Sequence, residues 1–143
     1  MRPSLQRLLA DPLRGVVAAI SAITVLSGLG QLVAPGVVLD LLGAESTPTT
    51  RHFFAIVGMF MAVVGAVTLQ ALLADLTPPY VVLWCAVQKF GAFVAVAVGV
   101  ARDLFGSMAL VVALFDLLTA VLAAALWHRL RRPEAARRER VPV

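Results

Sequence analysis

An all-α membrane protein, folded as an antiparallel bundle of four transmembrane helices, is the fold class that three observations predict. Of the 143 residues, 61% are hydrophobic and only 14% are charged. The mean hydropathy is +0.95. Four separate stretches each supply the roughly 20 apolar residues that a helix needs to cross a hydrocarbon core about 30 Å thick. A soluble domain runs near a quarter charged, and one this short cannot bury so large an apolar excess. The composition therefore excludes a secreted disulfide scaffold, a disordered tail and an ordinary soluble enzyme.

A single four-span domain over 1–128 is followed by a basic tail over 129–143. Before residue 15, Leu5, Leu8, Leu9 and Leu13 recur at helical spacing among Arg2, Arg7 and Arg14, the pattern of a short interfacial helix lying on the membrane. The first span runs over 15–34 and stops at Pro35-Gly36, because proline blocks helix continuation. Residues 35–52 form the one long loop, in which Val37, Val38, Leu41 and Leu42 can lie as an amphipathic turn and the threonines of Thr47-Pro48-Thr49-Thr50 can cap the next helix. The second span covers about 53–73. Pro78 and Pro79 set the entry to the third, over 80–101. The connection at Arg102-Asp103 is short, so the third span and the fourth, over 104–127, form a tight hairpin.

Topology follows from where the twelve basic residues fall. Nine lie at the two termini: Arg2, Arg7, Arg14, Arg129, Arg131, Arg132, Arg137, Arg138 and Arg140. Arg51 and Arg102 lie in loops, and Lys89 lies within a span. The positive-inside rule then places both termini in the cytoplasm, which requires an even number of spans. The first apolar run is too long for a cleaved signal and lacks a small-x-small end before Pro35, so it reads as a retained anchor. Tyr80, Trp84 and Trp127 sit at the cytoplasmic ends of the spans as an aromatic belt. One lysine among eleven arginines suits a GC-rich bacterial genome, and with it the cytoplasmic (inner) membrane of a bacterium.

The single cysteine, Cys85, permits neither an intrachain disulfide nor a thiolate metal cluster, and no catalytic, metal or nucleotide motif appears. No cofactor is expected. The basic tail carries no interleaved aromatic residues and reads as a topology and anionic-lipid determinant, not as a nucleic-acid site.

Charge inside a span is the most informative feature here, since an isolated Lys or Asp near mid-membrane costs on the order of 3 kcal/mol on insertion scales. Lys89 lies thirteen residues before Arg102 and Asp116 thirteen after Asp103, so an antiparallel hairpin brings them to the same depth. Cys85, Ala86 and Ala92 share the face of Lys89, while Ala113, Thr119, Ala120 and Ala123 share that of Asp116. Small residues let two backbones approach. The spacing therefore predicts a buried Lys89 to Asp116 ion pair, or its neutral proton-shared form. Such a pair either locks helix register or marks a binding cavity or proton-linked step. Further polar residues that could line a shared interior are Gln88, Gln31, Ser21, Thr24, Gln70 and Thr119. Arg51 and His52, just before the second span, form a candidate headgroup or anion contact, with simple solvation as the alternative.

The segments RHFFAIVGMFMAVVGA at 51–66, QKFGAF at 88–93 and LFDLLTAVLAAALW at 114–127 resemble small bacterial four-span membrane proteins of the DoxX-like and related uncharacterised families. The resemblance spans the four helices through loose, apolar motifs. It implies a membrane-embedded accessory protein, associated in some members with redox or quinone chemistry, although no residue set here carries that chemistry over. The leading expectation is a non-enzymatic accessory or assembly subunit, or a binder of an apolar ligand such as a lipid or quinone. Its partners would be the bilayer and either a second membrane protein or further copies of the chain. A small proton-linked transporter or channel using Lys89 and Asp116 is the alternative. A membrane subunit in quinone or lipid redox metabolism is the third.

Overall fold

The computed structural model describes residues 8, 10–74 and 76–138, with side chains as far as 132. It is all-helical among those residues. The elements are α1 (Pro12–Val33), α2 (Pro35–Leu41), α3 (Pro48–Leu73), α4 (Pro79–Ala101) and α5 (Met108–Arg138). α1, α3, α4 and the Met108–Arg132 part of α5 are each long and apolar enough to cross a membrane. Their 22, 26, 23 and 25 residues exceed a hydrocarbon core.

Each start has a local cause. α1, α3 and α4 all open on proline, whose fixed φ suits the first helical turn and whose missing N–H is not needed there. Asp11 caps α1 by accepting from the Arg14 amide. Thr47 and Thr50 cap α3 reciprocally, with Thr50 N donating to Thr47 Oγ1 and Thr47 N to Thr50 Oγ1. The helix thus begins at Pro48, one turn before the apolar run that opens at Phe53.

The bundle is two antiparallel hairpins. α1 packs along α3 and α4 along α5, while α1 meets α5 and α3 meets α4 over much smaller areas. The first hairpin is held by backbone proximity. A Cβ on Gly28 would stand 2.5 Å from the Gly58 carbonyl oxygen and 2.6 Å from the Ala62 amide, and one on Gly65 would stand 3.0 Å from the Ser21 carbonyl. At the end where the termini lie, Arg14 completes that register. Its guanidinium donates to the Leu72 carbonyl at 2.6 and 3.0 Å, to the Ala74 carbonyl at 3.1 Å and to Thr77 Oγ1 at 2.7 Å. A cation on these last carbonyls satisfies groups that the end of α3 leaves open and opposes its dipole.

The terminal end is closed by one apolar cluster: Val17 and Ala18 on α1, Leu72 on α3, Val82, Cys85 and Ala86 on α4, and Ala123 and Leu126 on α5. Asp11 and Arg129 pair across its rim at 3.2 Å. The expected interfacial helix falls mostly outside the described residues, although Leu8 and Leu13 pack against this cluster. Of the basic tail, residues up to Arg138 continue α5, and 139–143 lie outside the described residues.

Large apolar side chains cover the outside, including Leu26, Phe60, Val111 and Leu114, each at least 60% exposed. A surface so apolar is in contact with lipid. Tyr80 and Trp84 are also exposed there, whereas Trp127 is half-buried against the terminal cluster.

Two connections differ from the sequence expectation. The link between α4 and α5 spans 102–107, so the fourth span starts at Met108 and not at 104. Asp103 takes a left-handed φ of 57°, Leu104 N returns to the Gly99 carbonyl, and the Phe105 ring covers Gly99. The chain therefore doubles back along the last turn of α4 before α5 begins. In the long loop, α2 buries Leu39, while Val37 and Leu41 are exposed. Its far end meets the other connection: Gly106 N donates to the Leu42 carbonyl, and Gly43, at φ 64°, lies against Gly106.

The small-residue stripes behave unequally. Gly58, Ala62 and Gly65 make the α1–α3 contact, whereas Gly91 has nothing within 4 Å of a built Cβ and, like Ala95, is exposed. Gly28→Val is accordingly expected to destabilise the protein by about 1–3 kcal/mol through overpacking. Gly91→Val should stay within about 1 kcal/mol, the scale of a Gly-to-helix-former change at an exposed site. Thermal unfolding of the two variants in the same detergent checks the contrast.

Candidate functional site

Lys89 and Asp116 meet between α4 and α5. Lys89 Nζ donates to Asp116 Oδ1 at 2.6 Å, and the two residues are only 2% and 5% exposed. Ala86, Ala113 and Ala120, all buried, let the helices come this close. The register matches although the connection is not a two-residue turn. Lys89 stands about one helical turn further from the end of α4 than Asp116 does from the start of α5, and the doubled-back stretch 104–107 absorbs that difference.

The pair is not sealed in the hairpin. It forms one wall of a cavity of about 290 Å³ between the two hairpins. α1 contributes Thr24, Ser27, Gly30 and Gln31, and α2 lies across the loop end through Val38, Leu41 and Leu42. Met61 of α3 and Val112 and Phe115 of α5 complete the apolar wall. At the other side of the pair, Cys85 and Ala86 already belong to the apolar cluster that fills the terminal end. The polar lining thus runs from mid-bundle to the loop end and stops.

Six residues were expected to line such an interior, and the cavity takes two of them. Thr24 and Gln31 line it, and both present a buried oxygen, Thr24 Oγ1 and Gln31 Oε1, that has no hydrogen-bond partner. Ser21 and Thr119 are buried but turned onto their own helices, donating to the Val17 and Phe115 carbonyls at 2.8 Å. Gln88 is half-buried outside the cavity lining, and its Oε1 also lacks a partner. Gln70 is exposed on α3 and is not part of the cavity. Its place near the helix end gave no signal of which face it occupies.

Arg51 and His52 sit at the loop end. Arg51 is exposed, donates from Nε to Ser46 Oγ at 2.8 Å, and its guanidinium lies over Gly36. His52 is exposed and stands edge-on to Phe53. Neither lines the cavity. A larger depression of 390 Å³ lies near them, between the start of α3 and the 102–107 connection. Its walls are mainly Leu39, Phe53, Phe54 and Phe105, and it contains no buried polar group without a partner. No group of three or more His, Cys, Asp or Glu residues converges among the described residues.

The sequence reading missed Val38, Leu42, Met61 and Phe115 as part of the site. All four are ordinary apolar residues whose role depends on how the hairpins are set against each other. It also missed Arg14, for which a signal exists: α3 ends without a basic residue of its own in its last turn, and Arg14 stands at the matching depth on α1.

Breaking a buried pair strands the surviving charge, at a cost of about 3–5 kcal/mol. Lys89→Met and Asp116→Asn should each lose that much stability, and Lys89→Met with Asp116→Leu should recover most of it, as read by denaturant titration of the detergent-solubilised chain. No protein-family model, curated protein or solved structure matches the chain.

Proposed function

We propose that this integral membrane protein is a binding protein that holds a small, largely apolar ligand in the cavity between its hairpins, with the Lys89–Asp116 pair at the polar end. The observation that carries the reading is an apolar wall combined with two buried oxygens that have no partner, Thr24 Oγ1 and Gln31 Oε1, beside the buried ion pair. This is the general make-up of a ligand site, in which apolar walls supply affinity and a few polar groups fix orientation. The volume of about 290 Å³ is at the small end of the range for such sites.

A proton-linked conduit through the same pair is less well supported. Conduction needs polar groups on both sides of the pair, and toward the termini the space is filled by Val17, Leu72, Val82 and Leu126. Ser21, Thr68 and Thr119 are each turned onto a carbonyl of their own helix. A cavity closed toward the termini suits capture and presentation of a ligand. With the termini in the cytoplasm, as the arginine distribution implies, the cavity faces the outer leaflet of a bacterial inner membrane. An accessory role, delivering or presenting the ligand to a membrane partner, is consistent with this reading and with the resemblance carried by 51–66, 88–93 and 114–127.

Gly30 supplies the test. It lines the cavity, and a Cβ built there has nothing within 4 Å, so Gly30→Phe adds a bulky side chain at the cavity wall without displacing backbone. Native mass spectrometry of the full chain, extracted in mild detergent, should reveal a bound small molecule in the wild type and at least tenfold less in Gly30→Phe. Equal occupancy in the two proteins, or no bound molecule across several detergents, counts against the proposal.

A further inference from the structure

Among the described residues four hydroxyl side chains are buried: Ser21, Thr24, Thr68 and Thr119. In three of them the hydroxyl donates to the carbonyl four residues back, at 2.8 Å in each case. A helix offers that bond to any serine or threonine, and a buried hydroxyl with no other partner takes it. Thr24 does not, although it is only 4% exposed. It is also the one of the four that lines the cavity. Gln31, two turns along α1 on the same face, presents a buried Oε1 that receives no hydrogen bond. Within a membrane there is no bulk water to make good such losses.

We propose that the cavity's ligand is a neutral molecule bearing a hydroxyl group on an apolar stem, with the hydroxyl at Thr24, Gln31 and the Lys89–Asp116 pair and the stem against α2 and Phe115. The proposal rests on the binding reading above and adds the ligand's chemistry. Charge excludes the ionic heads: Lys89 and Asp116 neutralise each other, so a carboxylate or ammonium would bring an unpaired charge to mid-membrane. Hydrogen-bond direction excludes heads that only accept. Gln31 Oε1 can only accept, so a ketone or ester, which can only accept, leaves it unsatisfied, as does a hydrocarbon. A hydroxyl both donates and accepts. It can give its proton to Gln31 Oε1 or to the carboxylate of Asp116 while receiving one from Thr24 or from the Lys89 ammonium, which spends one hydrogen bond on Asp116 Oδ1. The volume, about twice that of a cavity that accepts one benzene ring, leaves room for a short alkyl stem beyond the head.

The experiment uses the full chain in phosphatidylcholine vesicles with a photoreactive diazirine derivative of 1-octanol, and labelled residues are mapped by mass spectrometry. Saturable labelling is expected at Met61, Phe115 or the α2 peptide. 1-Octanol should compete at least tenfold more effectively than octane, 2-octanone, octanoate or octylamine. Thr24→Val should reduce the saturable labelling about tenfold and leave the non-saturable labelling of the lipid-facing helices unchanged. Gln31→Leu is the second variant, should Thr24→Val not fold. If octane or 2-octanone competes as well as 1-octanol, or if both variants label like the wild type, the hydroxyl assignment is overturned while the cavity remains a binding site. If no probe labels the cavity saturably, and water alone satisfies Thr24 and Gln31, both this assignment and the binding reading fail.

Discussion

An ammonium and a carboxylate share one 2.6 Å hydrogen bond at mid-bundle, and each is there only because the other is. Either charge alone would be driven out of the membrane or neutralised, so the pair sets the depth and the facing of α4 and α5 together. Alanines at 86, 113 and 120 allow the contact, and the doubled-back connection at 102–107 absorbs the mismatch in helix length. The second hairpin is thus organised around electrostatics in a medium with little screening.

The first hairpin uses different physics. α1 and α3 contain no such pair at mid-bundle. They approach through Gly28, Gly58, Ala62 and Gly65 until backbone meets backbone, where van der Waals packing and the absence of side-chain entropy do the work. Arg14 ties off that hairpin at the terminal end by serving the last carbonyls of α3. Two hairpins built separately in this way share a smaller common surface. At the terminal end an apolar cluster joins them, and at the loop end α2 and Gly106 do. The space left between those two seams is the cavity. The ion pair therefore stands between a packed apolar cluster on one side and, on the other, an apolar-walled cavity that holds two polar groups without partners.

Much of this is legible in the sequence. The four spans, the proline entry to α4, the threonine cap of α3 and the small-residue faces follow from local sterics and from the length of a bilayer, which any apolar run must match. The ion pair is legible too, because two charges in hydrocarbon have few ways of being tolerated and the hairpin makes them neighbours. Where the sequence reading went astray, the reason is rotation or local folding. Gln70 falls on an outward face of α3, and Asp103 at positive φ sends the connection back along α4 instead of directly into α5. Neither depends on composition.

Sequence by itself determined the class of solvent, the number of membrane-spanning helices, and the pairing of Lys89 with Asp116, since each is dictated by the cost of placing polar groups in hydrocarbon. Tertiary structure alone decided which of the other polar residues matter. Ser21, Thr24 and Thr119 are alike in type and all buried, yet two are satisfied by their own helices and one lines the cavity with Gln31, its oxygen without a partner. That distinction arises from how one hairpin is set against the other, a contact made over a small area by residues far apart in the chain. No periodicity along a single helix encodes it.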